Sequence, residues 1–222
     1  MYLSRLKLNP LSREVVRDIA DVSHLHRTVM RAFPKAPADE NPRALYKVLY
    51  RLEMSYRTGM VALYVQSRVQ PAWSALPDGY VAENGVPEID VKRVDHLYER
   101  IEQGRRLRFR LRANPTRKID TKTREEGVRR HGRRVPVRGE QAQCEWLQRK
   151  GKQHGFAVVK VGITSSGAAQ LSRSLFTERT FQGVVFDGIL VVTDSDRFKQ
   201  ALVDGIGPGK AFGFGLMSVA AE

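Results

Sequence analysis

Residues 183–219, GVVFDGILVVTDSDRFKQALVDGIGPGKAFGFGLMSV, decide how the second half of the chain is read. Gly183 to Val192 is a β-branched, apolar run that reads as a strand, Ser195 to Val203 carries helical spacing, and Phe212 to Val219 reads as a final strand. Working outward, Arg106 to Arg112 alternates charged and apolar residues as a strand, Glu140 to Lys150 reads as a helix, and Phe156 to Ile163 as another strand. The order is βαββαβ, which specifies a ferredoxin-like, RRM-like sandwich of helices on a four-stranded sheet. Between its first strand and first helix, Asn114 to Arg138 is too long for an ordinary connection and too basic to be buried. It is expected to project as a hairpin, with Arg133, Arg134, Val135 and Val137 as a returning strand paired beside Arg106 to Arg112.

The first hundred residues mix both element types. Tyr2 to Leu8 alternates as a strand and Asn9-Pro10 ends it; helices are expected near Ser12 to Ala20 and Val22 to Phe33, with Pro34 stopping the second. Pro42 to Met54 reads as a further helix and Val61 to Val69 as a strand, whereas Pro77 to Arg100 gives no placeable strand. The expected class is α+β, with one domain over 1–100 and a second over 101–222.

At 222 residues and 41% hydrophobic content the chain holds ordinary cores. Its net charge is +14, and Arg105 to Arg138 alone carries 14 Lys plus Arg against Asp120, Glu125 and Glu126. Arginine suits bidentate contact with phosphate, so a polyanionic partner is expected; a solvated basic loop is the plainer alternative. The single Cys144 excludes an internal disulfide and fits a reducing compartment. No apolar run approaches the roughly 18 residues that span a bilayer, and the opening MYLSRLKLNP lacks a signal-peptide core, so a cytoplasmic protein without a membrane partner is expected.

Three constellations bear on chemistry. In the first, Asp21 is a plausible N-cap, Val22, Leu25, Val29 and Ala32 form an apolar stripe, and His26 lies on its flank, while His24 points nearly the opposite way. Ser23, Arg27 and Arg31 follow on the polar side next to His26. An imidazole among guanidiniums suits a phosphodiester: metal-free RNA cleavage takes a proton from a 2′-OH, gives one to the leaving 5′ oxygen, and needs cations near the phosphorane. A histidine that merely edges a core is the alternative. The second is Gly205 to Gly215, where Gly207, Gly209, Gly213 and Gly215 let backbone N–H groups approach a phosphate and Lys210 adds charge; it lacks the P-loop order. The third is Arg129, Arg130, Arg133 and Arg134 around His131-Gly132, with Arg117 and Lys118 opposite, suited to the phosphate-lined groove of double-stranded RNA. The histidines lack carboxylate or thiolate companions at ligand spacing, so neither a catalytic metal nor another cofactor is expected.

MYLSRLKLNP, LHRTVMRAFP, LRFRLRANPTRK, QCEWLQRKG and GIGPGKAFGFGLMSV together resemble the CasE-type CRISPR repeat endoribonucleases of type I-E systems. The terminal glycine-rich loop is shared with the wider repeat-associated RNA-processing superfamily. The resemblance implies two tandem RRM-like domains, cleavage at the 3′ base of a repeat hairpin, a 2′,3′-cyclic phosphate end, and retention of the product within the Cascade complex. It implies as partners the CRISPR repeat RNA hairpin and the other Cascade subunits, with no DNA contacted by this chain alone. The family's catalytic histidine falls on His26. One departure is Ser23, where the family often has a tyrosine that assists the chemistry; serine can hold a hydrogen bond but offers no phenolic group. A noncatalytic RNA-binding module is the competing class, and the His26 neighbourhood favours the enzyme.

Overall fold

The computed structural model describes residues 1–55, 57–119, 133–164, 171–174 and 179–222. The chain is a mixed α and β structure built on two four-stranded antiparallel sheets. In the first, β1 (Tyr2–Leu8) lies between β3 (Val61–Ser67) and β4 (Ile89–Arg93), with β2 (Leu49–Met54) outside β3. The strand alternation in β1 works as read: Leu6 and Leu8 are buried, while Arg5 and Lys7 face out and ion-pair with Asp90 and Glu88 at 2.7 Å. Helices α1 (Arg13–Ala20) and α2 (Val22–Met30) cover the apolar face, so that Val15, Leu25 and Val29 share one core with Leu6, Leu63 and Tyr50.

In the second sheet β5 (Arg106–Ala113) is central, flanked by β12 (Met217–Ala221) and by β11 (Val184–Val192), with β8 (Phe156–Thr164) beyond. Leu107, Phe109 and Leu111 point into a core closed by Trp146 and Leu147 of α5 (Glu140–His154) and by Phe198 and Leu202 of α6 (Ser195–Asp204). Two smaller ribbons complete the described strands: β6 (Thr116–Ile119) with β7 (Arg133–Pro136), and β9 (Leu171–Ser174) with β10 (Arg179–Gln182). Short helices α3 (Pro42–Leu45) and α4 (Asp95–Glu99) lie in the first half. No described helix is long and apolar enough to cross a membrane.

Three sequence expectations are corrected, and the stretch that gave no placeable strand acquires one. Pro42 to Met54 is not one helix: α3 stops at Leu45, Lys47 takes a left-handed φ of 52°, and Leu49–Met54 is strand β2. The basic connection does return as a ribbon, but β7 pairs with β6 and not with the strand at Arg106–Arg112, whose two edges are taken by β11 and β12. The last strand begins at Met217, because Lys210–Phe212 forms a 3-10 turn in the glycine-rich loop. The Pro77–Arg100 stretch holds β4 and α4.

The two sheets are joined through β2. Arg51, nearly fully buried, pairs with Glu53 at 2.8 Å and donates to the carbonyls of Arg110 (3.3 Å) and Leu216 (3.2 Å) and to Ser218 Oγ (3.1 Å). Gln66 of β3 donates to Leu202 O at 2.7 Å, and Glu53 also reaches Arg110 at 3.2 Å. These contacts hold the last two elements of the chain against the first sheet.

Candidate active site

Asp21 caps α2 as expected, its Oδ1 accepting the Ser23 backbone N–H at 2.7 Å. Leu25 and Val29 then face the core, which places His26 on the flank of the helix, half-buried. Its ring stacks on Tyr50 of β2, with centroids 6.3 Å apart and planes 19° apart. Its Nδ1 is buried and has no hydrogen-bond partner among the described residues. Burial, and secondarily the charge of Arg43 on α3, hold the imidazole below its ordinary pKa, so the neutral form dominates at neutrality. His24 lies on another side, where its Nδ1 meets Arg27 Nη2 at 2.9 Å. Arg27 therefore associates with His24, and Arg31 sits exposed at the C-cap of α2.

The glycine-rich loop packs against this helix and against β2. Tyr50 is fully buried and donates its hydroxyl to Ala211 O at 2.6 Å. Burial raises its phenol far above the ordinary range, so Tyr50 is a fixed donor and a stacking surface rather than a proton acceptor. Gly213 takes φ 79° and lies so close to Tyr50 that a Cβ there would stand 3.2 Å from the ring. Gly213 and Gly215 are buried, and the Gly215 N–H donates to Arg112 O at 2.8 Å; their freedom serves packing. Gly207, Gly209 and Lys210 are half-buried and keep one side to solvent.

Cations accumulate here. The Lys210 ammonium is held below its ordinary value by burial and then by Arg43, whose own guanidinium is also lowered by burial. Arg112 lies over the Phe214 ring at 4.8 Å. Asp204 is engaged by Lys47 at 2.8 Å and Gln200 at 2.6 Å. A neutral imidazole among such cations forms a proton acceptor beside an anion site. Arg43, Tyr50 and Arg112 were not singled out from sequence. The first two were hidden by reading Pro42–Met54 as one helix; two-residue alternation around Tyr50 would have been the signal.

On the arm, Arg117, Lys118 and Arg134 are exposed along the β6–β7 ladder, with Lys118 opposite Arg134 and Ile119 opposite Arg133. Val137 roots the arm in the second core. Arg129 and Arg130 lie outside the described residues. No group of three or more His, Cys, Asp or Glu side chains suited to a metal occurs among the described residues.

Comparison with known proteins agrees with this geometry. A family model described as CRISPR associated protein matches residues 1–221. CRISPR-associated endoribonuclease Cse3 of Thermus thermophilus is 32% identical over 99% of this chain and 100% of that protein. CRISPR system Cascade subunit CasE of Escherichia coli is 29% identical over 99% of both chains. The structure of Thermus thermophilus Cse3 bound to an RNA representing a pre-cleavage complex superposes with a TM-score of 0.78 at 32% identity, over 99% of this chain and 98% of that one. The chain described here belongs to the CRISPR-associated protein family of these endoribonucleases.

Proposed function

We propose that this chain is an endoribonuclease that cuts CRISPR precursor RNA at the 3′ base of the repeat hairpin without a catalytic metal and remains on the product as a subunit of Cascade. The observation that carries this reading is His26: a half-buried imidazole kept neutral, stacked on Tyr50, next to Arg43 and the Lys210 loop. Neutral His26 takes the proton from the 2′-OH at the cut. The 2′ oxygen then attacks phosphorus, the P–O5′ bond breaks, and the fragments end in a 2′,3′-cyclic phosphate and a 5′-OH. Arg43 and Lys210 offset the charge that develops on the phosphorane. Lys210, whose ammonium is loosened by its surroundings, is our candidate for protonating the leaving 5′ oxygen. Ser23, Arg27 and Arg31 border the path of the strand, and Arg117, Lys118, Arg129, Arg130, Arg133 and Arg134 grip the stem.

The same proposal divides the chain near residue 100 into two ferredoxin-like halves. The strand orders β2-β3-β1-β4 and β12-β5-β11-β8 support it, as do two large cores, one drawn from residues 6–81 and the other from 101–217, with a small cluster of Val22, Phe181 and Phe214 between the halves. In the second half β5, α5, β8, β11, α6 and β12 follow in the βαββαβ order.

The test is incubation of the protein with labelled repeat hairpin RNA in EDTA, followed by end-group analysis. Undiminished cleavage with a cyclic phosphate end is expected. Inhibition by chelator that a divalent ion restores would move the reaction to another class.

A further inference from the structure

The last turns of α5 carry basic groups that the cleavage site does not use. Lys150 is half-buried, its Nζ 5.9 Å from the Trp146 ring and donating to Gln153 Oε1 at 2.8 Å. Trp146 in turn backs the glycine-rich loop so closely that a Cβ on Gly207 would stand 3.1 Å from its ring. This stack brings the end of α5 beside Lys210. His154, the last residue of α5, is half-buried there. The charges acting on it are Lys150 of its own helix, Lys210 of the loop and Asp204 of α6. Asp204 is already engaged by Lys47 and Gln200. The neighbouring Asp194–Arg197 pair, which packs on Gly155, is closed on itself at 3.2 Å.

Beyond His154 the row continues in both directions. Arg134 of the arm acts on Lys150, and Arg43 of the first sheet's side acts on Lys210. Cations thus run from the root of the arm to His26, across the junction of the two sheets. Partial burial of like charges disfavours their charged forms, and Lys150, His154 and Lys210 are all held below their ordinary pKa values, first by burial and then by one another or by neighbouring arginines. A polyanion laid along the row relieves that repulsion.

We propose that Lys150, His154 and Lys210, with Arg43 across the junction, form a phosphate-binding step that grips the RNA strand between the arm and the bond cut at His26. The inference rests on the RNA-cleavage reading above. The ligand is a run of phosphodiesters, because the row is a succession of cations from separate elements, and contacts of that kind follow a backbone and fix its register. Its place on the arm's side of His26 means that it holds the fragment keeping the hairpin. His154 makes the grip depend on pH. Free, its imidazole is biased to the neutral form; a phosphate beside it favours the charged form, so binding RNA takes up a proton. Affinity therefore rises as pH falls through the window between the bound and the free value, and the gain is lost above the bound value.

The experiment uses the full chain carrying His26→Ala, which blocks cleavage and removes the titration of His26, with a labelled stem-loop of the CRISPR repeat from the same genome. Dissociation constants are measured from about 50 to about 200 mM salt and between about pH 5.5 and pH 8. Adding Lys150→Gln or Lys210→Gln is expected to reduce the slope of log Kd against log salt by about 0.7–0.9 each. Adding His154→Gln is expected to leave the slope at the alkaline end unchanged and to remove the acid-side tightening, which amounts to about tenfold for each unit by which RNA raises the imidazole's pKa. Cleavage by the wild-type protein, measured alongside, separates the two readings. If it cuts the hairpin while every added variant keeps the parent's salt slope and pH profile, the phosphate step is overturned and the cleavage reading stands. A protein that neither binds nor cuts the hairpin overturns both.

Discussion

Replacing Tyr50 by phenylalanine keeps the ring that stacks on His26 and removes only the hydroxyl, which donates to Ala211 O at 2.6 Å. The carbonyl it leaves lies at the turn of the glycine-rich loop, beside a fully buried ring. An acceptor that loses its donor costs about 1–3 kcal/mol when buried, and the half-buried Ala211 carbonyl stands toward the lower part of that range. For a chain of 222 residues, about 2–4 °C of Tm accompanies each kcal/mol, so Tyr50→Phe should lower Tm by an amount in the lower part of roughly 2–12 °C. The loop it anchors packs on α2 and carries Lys210, on which Arg43 also acts, and a shift of about 1 Å in a catalytic constellation slows reaction by up to about 100-fold. Thermal melting and single-turnover cleavage at saturating RNA measure the two effects. The expected outcome is a lower Tm with a moderately slower cut. Wild-type values of both would refute the anchor. A dead enzyme with a wild-type Tm would refute it differently, by assigning the hydroxyl to proton transfer despite its raised pKa.

Further outcomes bear on the site and the junction. His26→Ala should abolish cleavage with hairpin affinity nearly intact, whereas His24→Ala should cut normally; a dead His24 variant would reverse the assignment. Because burial and Arg43 hold His26 below its ordinary pKa, kcat/KM should rise with pH and reach its plateau at lower pH than a free histidine would allow. Arg43→Gln should move that rise to higher pH, and an unmoved profile would remove Arg43 from the environment of His26. Arg51→Met should destabilise the fold by about 3 kcal/mol, the low end for breaking a buried pair, since Glu53 keeps Arg110; urea melting checks this. Alanine at Arg129, Arg130, Arg133 and Arg134 together should flatten the salt dependence of hairpin binding and slow saturating cleavage, and unchanged slope and rate would make the arm a solvated basic loop.

Where one face of an element is core and the other solvent, local pattern suffices. Leu6 and Leu8 alternate with Arg5 and Lys7, Phe109 and Leu111 alternate with Arg108 and Arg110, and the flank position of His26 follows from the stripe of Leu25 and Val29. The sequence alone therefore determined the second half's element order, the cap at Asp21, the half-exposed histidine and the basic ribbon. Tertiary structure decided the rest. In β2, Leu49 meets Gly205, Tyr50 meets the first core and His26, and Arg51 meets β12, so both faces are covered and the short alternation of Tyr50, Leu52 and Met54 with Arg51 and Glu53 does not mark a solvent side. The strand then looks like the continuation of α3. The partners of β5 were likewise beyond local pattern, because its edges are taken by β11 and by β12, which returns more than a hundred residues later. Arg43, Tyr50 and Lys210 come from distant parts of the chain. Only the packing of β2 and the glycine-rich loop around α2 gathers them on the side of His26, where burial first and then Arg43 hold its imidazole neutral.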